Sequence, residues 1–306
     1  MSFLSDYGTA DEFVGVAKSV VRSLAPEVVV IDITHEISPQ DVRAAGLALA
    51  RSAQYLAAGV VLAVVDPGVG GNRRAVAVEV GGGSSVLVGP DNGLLAPAVA
   101  MVGGADRAVE LTQAEYHLPA PGHTFAGRDV FAPVAAHLCL GVQLTQVGTP
   151  IDVASLTPAM MPVSRTEGNQ IHAEVLWIDR YGNVQLNLDP TELQALGDII
   201  AVTVADMSHN ARRVDAYSQL QGQEIGLLVD SYGLVALSVN SGSAALALGC
   251  VEADAVVVEA NAALGAGNTG GNTPVTTPVP TAGNTAVTKG VTTPVRVQPK
   301  RSEQTR

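Results

Sequence analysis

At 306 residues and 47% hydrophobic content, the chain is long enough for two domains, each around its own packed core. Its formal charge is −12, and residues 1–260 carry 12 basic against 28 acidic side chains, so a nucleic-acid partner is excluded: its phosphates would be repelled over most of the surface. Only Cys139 and Cys250 are present, far apart, which argues against a disulfide framework or zinc cluster and predicts two buried, inert thiols.

Apolar blocks such as "VVVIDI" and "VVLAVV" break long before a membrane-spanning length, so neither a transmembrane helix nor a membrane partner is expected. The start, "MSFLSDYG", lacks the basic region and long apolar stretch of a secretory signal, which predicts a cytoplasmic location. A small-molecule substrate fits this profile.

From residue 1 to about 150, β-branched runs alternate with Ala-rich helical patterns, the rhythm of an α/β domain with a mostly parallel sheet. Strands are expected near 28–33, 60–65, 75–80 and 85–89, and helices over 10–24, 40–57, 93–102 and 129–141. Thr9-x-x-Glu12 reads as a capping box, and Ser38-Pro39 as an N-cap followed by an N1 proline. Residues 151–168 carry several prolines and no sustained period, as a linker would. Over 169–259, short strand-like runs separated by turn residues predict a smaller all-β domain, an antiparallel barrel or sandwich. After 260 the composition collapses to Gly, Asn, Thr, Pro and Val, which predicts a disordered tail over 260–306.

Several segments place chemically useful residues on bends. In "SDYGTADEF", Asp6 follows a short strand, where a carboxylate is suited to accept hydrogen bonds from a ribose diol; Asp11 falls in the first turn of the expected helix and is suited to an ammonium group. Helix capping is the simpler account of Asp11, and the two accounts of Asp6 weigh equally. In "VVDPGVGGNRR", Asp66 ends a strand, Pro67-Gly68 turns the chain, Gly70-Gly71 let backbone approach a ligand, and Arg73 can reach back to Asp66. A loop salt bridge of little energetic worth is the alternative there. In "HTFAGRDVF", Phe125 precedes the small pair Ala126-Gly127, and Arg128-Asp129 opens a helix. Downstream, "IDRYGNVQLN" sets Tyr181 and Asn183 on a turn where they can stack on and hydrogen-bond a purine, or simply turn a strand. "DSYGLVALSVNSGSAALALG" holds Ser231, Val239 and Ser241.

Taken in order, "DPGVG-x-x-RR", "GPDNGLL", "TF-x-GRD-x-FAP", "YGN" and "VN-x-GSAA" resemble the S-adenosylmethionine hydroxide adenosyltransferases, relatives of the fluorinases and chlorinases, over about residues 2–259. The resemblance implies that water cleaves S-adenosylmethionine at the ribose C5′ to adenosine and methionine, with no cofactor. It also implies a homotrimer, with each site between the first domain of one subunit and the second domain of its neighbour. It assigns Asp6 to the ribose diol, Asp11 to the methionine ammonium, Ser231 to the methionine carboxylate, Tyr181 and Asn183 to the adenine pocket, and Val239 and Ser241 to backbone contacts with the adenine. Phe125 and Gly127 join the substrate-binding set. Asp66 and Arg73 match two members of a water-activating triad whose third member is a histidine. The family pattern "TFHGRD" reads "TFAGRD" here, so that third position is Ala126, which predicts weakened turnover with binding retained. A non-catalytic S-adenosylmethionine or adenosine binder is one alternative. A halogenase is the other, and is disfavoured because the halogenating relatives carry tyrosine where this chain has Asp66.

Overall fold

The computed structural model describes residues 1–261, so the tail expected to be disordered lies almost wholly outside the described residues. The first part is a seven-stranded sheet between two helical layers. Its strands are β1 (Ser2–Ser5), β2 (Ile31–Thr34), β3 (Val60–Val64), β4 (Ala75–Val80), β5 (Ser85–Pro90), β6 (Ala105–Glu110) and β7 (Thr149–Ile151), in the order β2-β1-β3-β5-β4-β6-β7. Its helices are α1 (Phe13–Leu24), α2 (Val42–Ala53), α3 (Ala96–Met101), α4 (Ala132–Cys139) and the short α5 (Leu144–Val147).

The sheet is mixed, which corrects the expectation of a mostly parallel one. β2, β1, β3 and β5 run parallel, while β4, β6 and β7 pair antiparallel. The cause is the link between β4 and β5, Gly81-Gly82-Gly83-Ser84, whose three glycines all have positive φ (65°, 66° and 84°). So short a turn closes only a hairpin; a parallel pair needs a crossover of about a dozen residues or more.

Alternation along the buried strands sends Phe3, Leu62 and Val64 to the face covered by α1 and α4, and Leu4, Val61 and Ala63 to the face covered by α2 and α3. Two helix starts differ from expectation. Thr9 does not cap α1: its Oγ1 donates to Glu36 Oε1 at 3.0 Å, and the helix begins at Phe13, leaving Asp11 ahead of it rather than in its first turn. The cap of α2 is Asp41, which accepts from Ala44 N at 2.8 Å, three residues beyond Ser38. The chain at residues 6–9 is fastened to the loop after β2, through Gln40 N to Asp6, Gly8 N to the His35 carbonyl and Thr9 to Glu36, which takes the Thr9 hydroxyl away from capping.

The second part is a closed barrel of β9 (Gln170–Ile178), β10 (Val184–Leu186), β11 (Ile199–Val204), β12 (Met207–Arg213), β13 (Ile225–Val229), β14 (Val235–Val239) and β15 (Ala255–Ala260). The β9–β10 pairing completes the ring, so of the two all-β forms anticipated the barrel is the one found; β8 (Arg165–Glu167) flanks β9 outside it. All pairings in the ring are antiparallel except β12–β13. Val175, Leu186, Val202, Leu227, Leu237 and Val258 fill its interior, and α6 (Ala244–Leu248) packs at one end. Cys139 and Cys250 are free thiols, and burial raises the pKa of both. Among the described residues no helix is long and apolar enough to cross a membrane.

Candidate active site

β3 delivers Asp66 to the rim of the sheet, and the chain then turns tightly: Val69 N donates to the Asp66 carbonyl and Gly71 N to that of Gly68. Gly70 has φ 76°, and a Cβ there would stand 3.1 Å from the His123 carbonyl, so the bend lies directly against the 123–127 segment. The turn returns Arg73 onto Asp66. Its Nε donates to Oδ1 at 2.8 Å and its Nη2 donates to Oδ2, a forked pair with little exposure on either side chain. The adjacent Arg74 does different work: it binds Asp91 and Ser155, and Asp91 accepts from Thr157 N at 2.8 Å, which ties down the segment after β7.

The 123–131 segment closes this corner. Phe125 accepts from both Arg128 N and Asp129 N, and Gly127–Phe131 form a π-turn leading into α4; such turns recur at functional sites. The expected helix over 129–141 is therefore this π-turn followed by α4. Arg128 pairs with its neighbour Asp129 and lies 5.1 Å from the Phe125 ring centroid, a structural use of that charged pair. Gly127 is demanded by a close approach, because a Cβ there would overlap the Tyr7 hydroxyl. Tyr7, Phe13 and Phe125 pack edge-on or tilted, with ring centroids 5.1–5.8 Å apart. A cavity of about 580 Å³ opens beside them, and Arg73, Ala126, His117, His123 and Asp129 line it.

Asp6 follows β1, and its Oδ2 accepts from the backbone N–H of Gln40 at 2.8 Å. Asp11 is exposed before α1 and lines none of the cavities described here. On the barrel, a second cavity of about 630 Å³ is lined by Asp179, Tyr181, Asn183, Tyr217, Val239 and Ser241. Asp179 shapes its floor, accepting from Tyr181 N, Asn183 N and Asn183 Nδ2 at 2.7–2.9 Å. The Asn183 amide thus has its nitrogen committed and offers Oδ1 to a ligand. Tyr181 is 79% exposed, an aromatic face left largely open by the described residues. Ser231 lies in the β13–β14 turn and lines neither cavity; its neighbour Tyr232 lines a third, of about 410 Å³, with Arg51 over Trp177.

The structure therefore collects Asp66, Arg73, Phe125, Ala126 and Gly127 at one corner, and Tyr181, Asn183, Val239 and Ser241 at another. Tyr7 and His117 were not anticipated. Tyr7 reads in sequence as one more core aromatic; His117 lies in an irregular segment, and its Nε2 is buried without a partner among the described residues, with burial lowering the ring's pKa.

An α/β domain with an acid–guanidinium corner, followed by a barrel with an aromatic-amide pocket, defines a two-domain protein built to hold a small polar molecule. Residues 1–148 match the S-adenosylmethionine hydroxide adenosyltransferase N-terminal domain, and residues 173–257 match the C-terminal domain. The chain belongs to this family. It is 44% identical over 260 residues to "(R)-S-adenosyl-L-methionine hydrolase" of Salinispora tropica, covering 85% of this chain and 97% of that one. The protein of the same name from Thermus thermophilus is 41% identical, with 82% and 95% covered. Similarity extends to "Fluorinase" of an Actinoplanes species at 27% identity over 64% of this chain and 74% of that one. Among solved structures, an uncharacterized conserved protein from Thermotoga maritima superposes with a TM-score of 0.78 at 33% identity, covering 84% of this chain and 98% of that one.

Proposed function

We propose that the chain hydrolyses S-adenosyl-L-methionine to adenosine and L-methionine by attack of water on the ribose C5′. The observation that carries this reading is the forked Arg73–Asp66 pair beside a cavity of about 580 Å³, in a chain of this family. The sulfonium of the substrate is already a good leaving group, so the protein's work is to place one water in line with C5′ and keep others out. Asp66 accepts a hydrogen bond from that water, and Arg73 holds Asp66 in one orientation and offers positive charge to the developing hydroxide. No cofactor enters this scheme.

Asp6 takes the ribose diol, Asp11 the methionine ammonium and Ser231 its carboxylate. Tyr181 stacks on the adenine, Asn183 Oδ1 accepts from its amino group, and Val239 and Ser241 supply backbone contacts. Because Arg73 and Ala126 line one cavity and the adenine-side groups Tyr181, Asn183, Val239 and Ser241 another, the reading includes a homotrimer in which one subunit's first cavity faces its neighbour's second. It also includes a cytoplasmic location, where this substrate is made.

Ala126 favours a second reading, a binder that holds S-adenosylmethionine or adenosine without turnover, because a methyl group can neither take nor give a proton. A halogenase fits less well, since the Asp66 carboxylate would repel a halide at the nucleophile position. Incubation with S-adenosylmethionine in chloride or fluoride buffer, followed by chromatography, separates the three: adenosine supports hydrolysis, 5′-halo-adenosine the halogenase and unchanged substrate the binder.

A further inference from the structure

We propose that Tyr7 is a catalytic residue of this hydrolysis, its hydroxyl oxygen holding the second hydrogen of the attacking water opposite Asp66. The proposal rests on the function given above. Tyr7 is fixed at both ends. Its backbone N–H donates to Ser5 Oγ at 3.3 Å, and Ser5 Oγ is in turn 2.7 Å from His35 Nδ1, inside the core. Its ring is wedged between Phe13 and Phe125. That packing drives the hydroxyl across the backbone at Gly127, where no side chain larger than hydrogen fits beneath it.

The charged groups whose fields act on the hydroxyl are Asp6, Asp66 and Arg73, the expected ribose group and the acid–guanidinium pair. Burial, reinforced by the two carboxylates and opposed by Arg73, pushes its pKa far above the ordinary phenol value, which keeps it neutral at ordinary pH. A phenol in such a place ordinarily has a protein partner. Among the described residues this one makes no hydrogen bond, so its bonding capacity is left for water or substrate.

A water between Tyr7 and Asp66 donates one O–H to each and turns a lone pair toward C5′. The O–C5′ bond forms as the C5′–S bond breaks, and the electron pair leaves with sulfur as the neutral thioether of methionine. One water proton passes to Asp66 and then to solvent. The other, held on Tyr7 until then, remains as the hydrogen of the new 5′-hydroxyl. Tyr7 itself gains and loses no proton.

Tyr7→Phe removes the oxygen and keeps the ring in its aromatic cluster. The expected result is a kcat lower by about tenfold or more, the effect of one lost hydrogen bond that tightens in the transition state, with KM and the calorimetric Kd for S-adenosylmethionine within about twofold. An unchanged kcat in Tyr7→Phe, or a rise in KM alone, overturns the proposal while adenosine formation by the unaltered chain leaves the function standing. An unaltered chain that forms no adenosine overturns both.

Discussion

Gln40 donates its backbone N–H to Asp6 Oδ2 at 2.8 Å, from a left-handed φ of 69°. The contact occupies Oδ2 and leaves Oδ1 without a hydrogen-bond partner among the described residues. Asp6→Asn can keep the loop contact, since the amide oxygen still accepts from Gln40. It then presents an N–H donor where a ribose diol also brings donors. S-Adenosylmethionine binding is expected to weaken about tenfold or more, and binding of its 2′-deoxy analogue much less, because that ligand has already lost one of the two hydroxyls. Calorimetric titration of both ligands checks this, and parallel losses with a lowered Tm would reduce Asp6 to a loop residue.

Ala126→His puts an imidazole on the cavity that Arg73 lines. If proton transfer at the water limits turnover, adenosine production should rise about a hundredfold with little change in Kd. Steady-state kinetics on the two proteins decide the matter; equal kcat values would show that this position takes no part in water activation.

Of the fold, the sequence displayed what repeats along the chain: alternating strands, Ala-rich helices and the change to short β-runs after residue 168. It hid what depends on partners distant in sequence. The glycine hairpin after Val80 sets β4 against the parallel strands, yet "GGGSS" looks like any loop until its neighbour across the sheet is known. The capping motif at Thr9 was real chemistry with another destination, Glu36. At the site, the Asp66–Arg73 pair was legible because both members sit on one short bend. Tyr7 was not, because its meaning comes from Gly127, more than a hundred residues away.

A site divided between subunits makes a prediction that a site within one chain does not. Arg73→Ala damages the α/β half and Asn183→Ala the barrel half. Co-expressed in equal amounts, the two inactive variants should form mixed trimers in which roughly a quarter of the sites are intact. Recovery of activity in that proportion is the expected result, read by adenosine formation from the co-purified mixture; no recovery would place both halves in one subunit.

Acid stability has a traceable contributor on the barrel. Glu224 accepts from Arg212 and from Gln221 N, which lowers its pKa to about 2. A carboxylate whose folded pKa is depressed contributes stability above its unfolded pKa, and that contribution is lost as pH falls toward the folded one. Thermal melts should therefore place Glu224→Gln below the unaltered protein at about pH 6, with the gap closing between about pH 4.5 and pH 2. A gap that stays constant over that window would show that the pair does not govern it.

The central claim is that water, positioned by Asp66 and its neighbours, attacks the ribose C5′. Turnover of S-adenosylmethionine in heavy-oxygen water, with mass spectrometry of both products, tests it directly. The account predicts one heavy oxygen in adenosine, at the 5′-hydroxyl, and none incorporated into methionine beyond its control. Label appearing in a methionine-derived product, or adenosine formed without label, would contradict it.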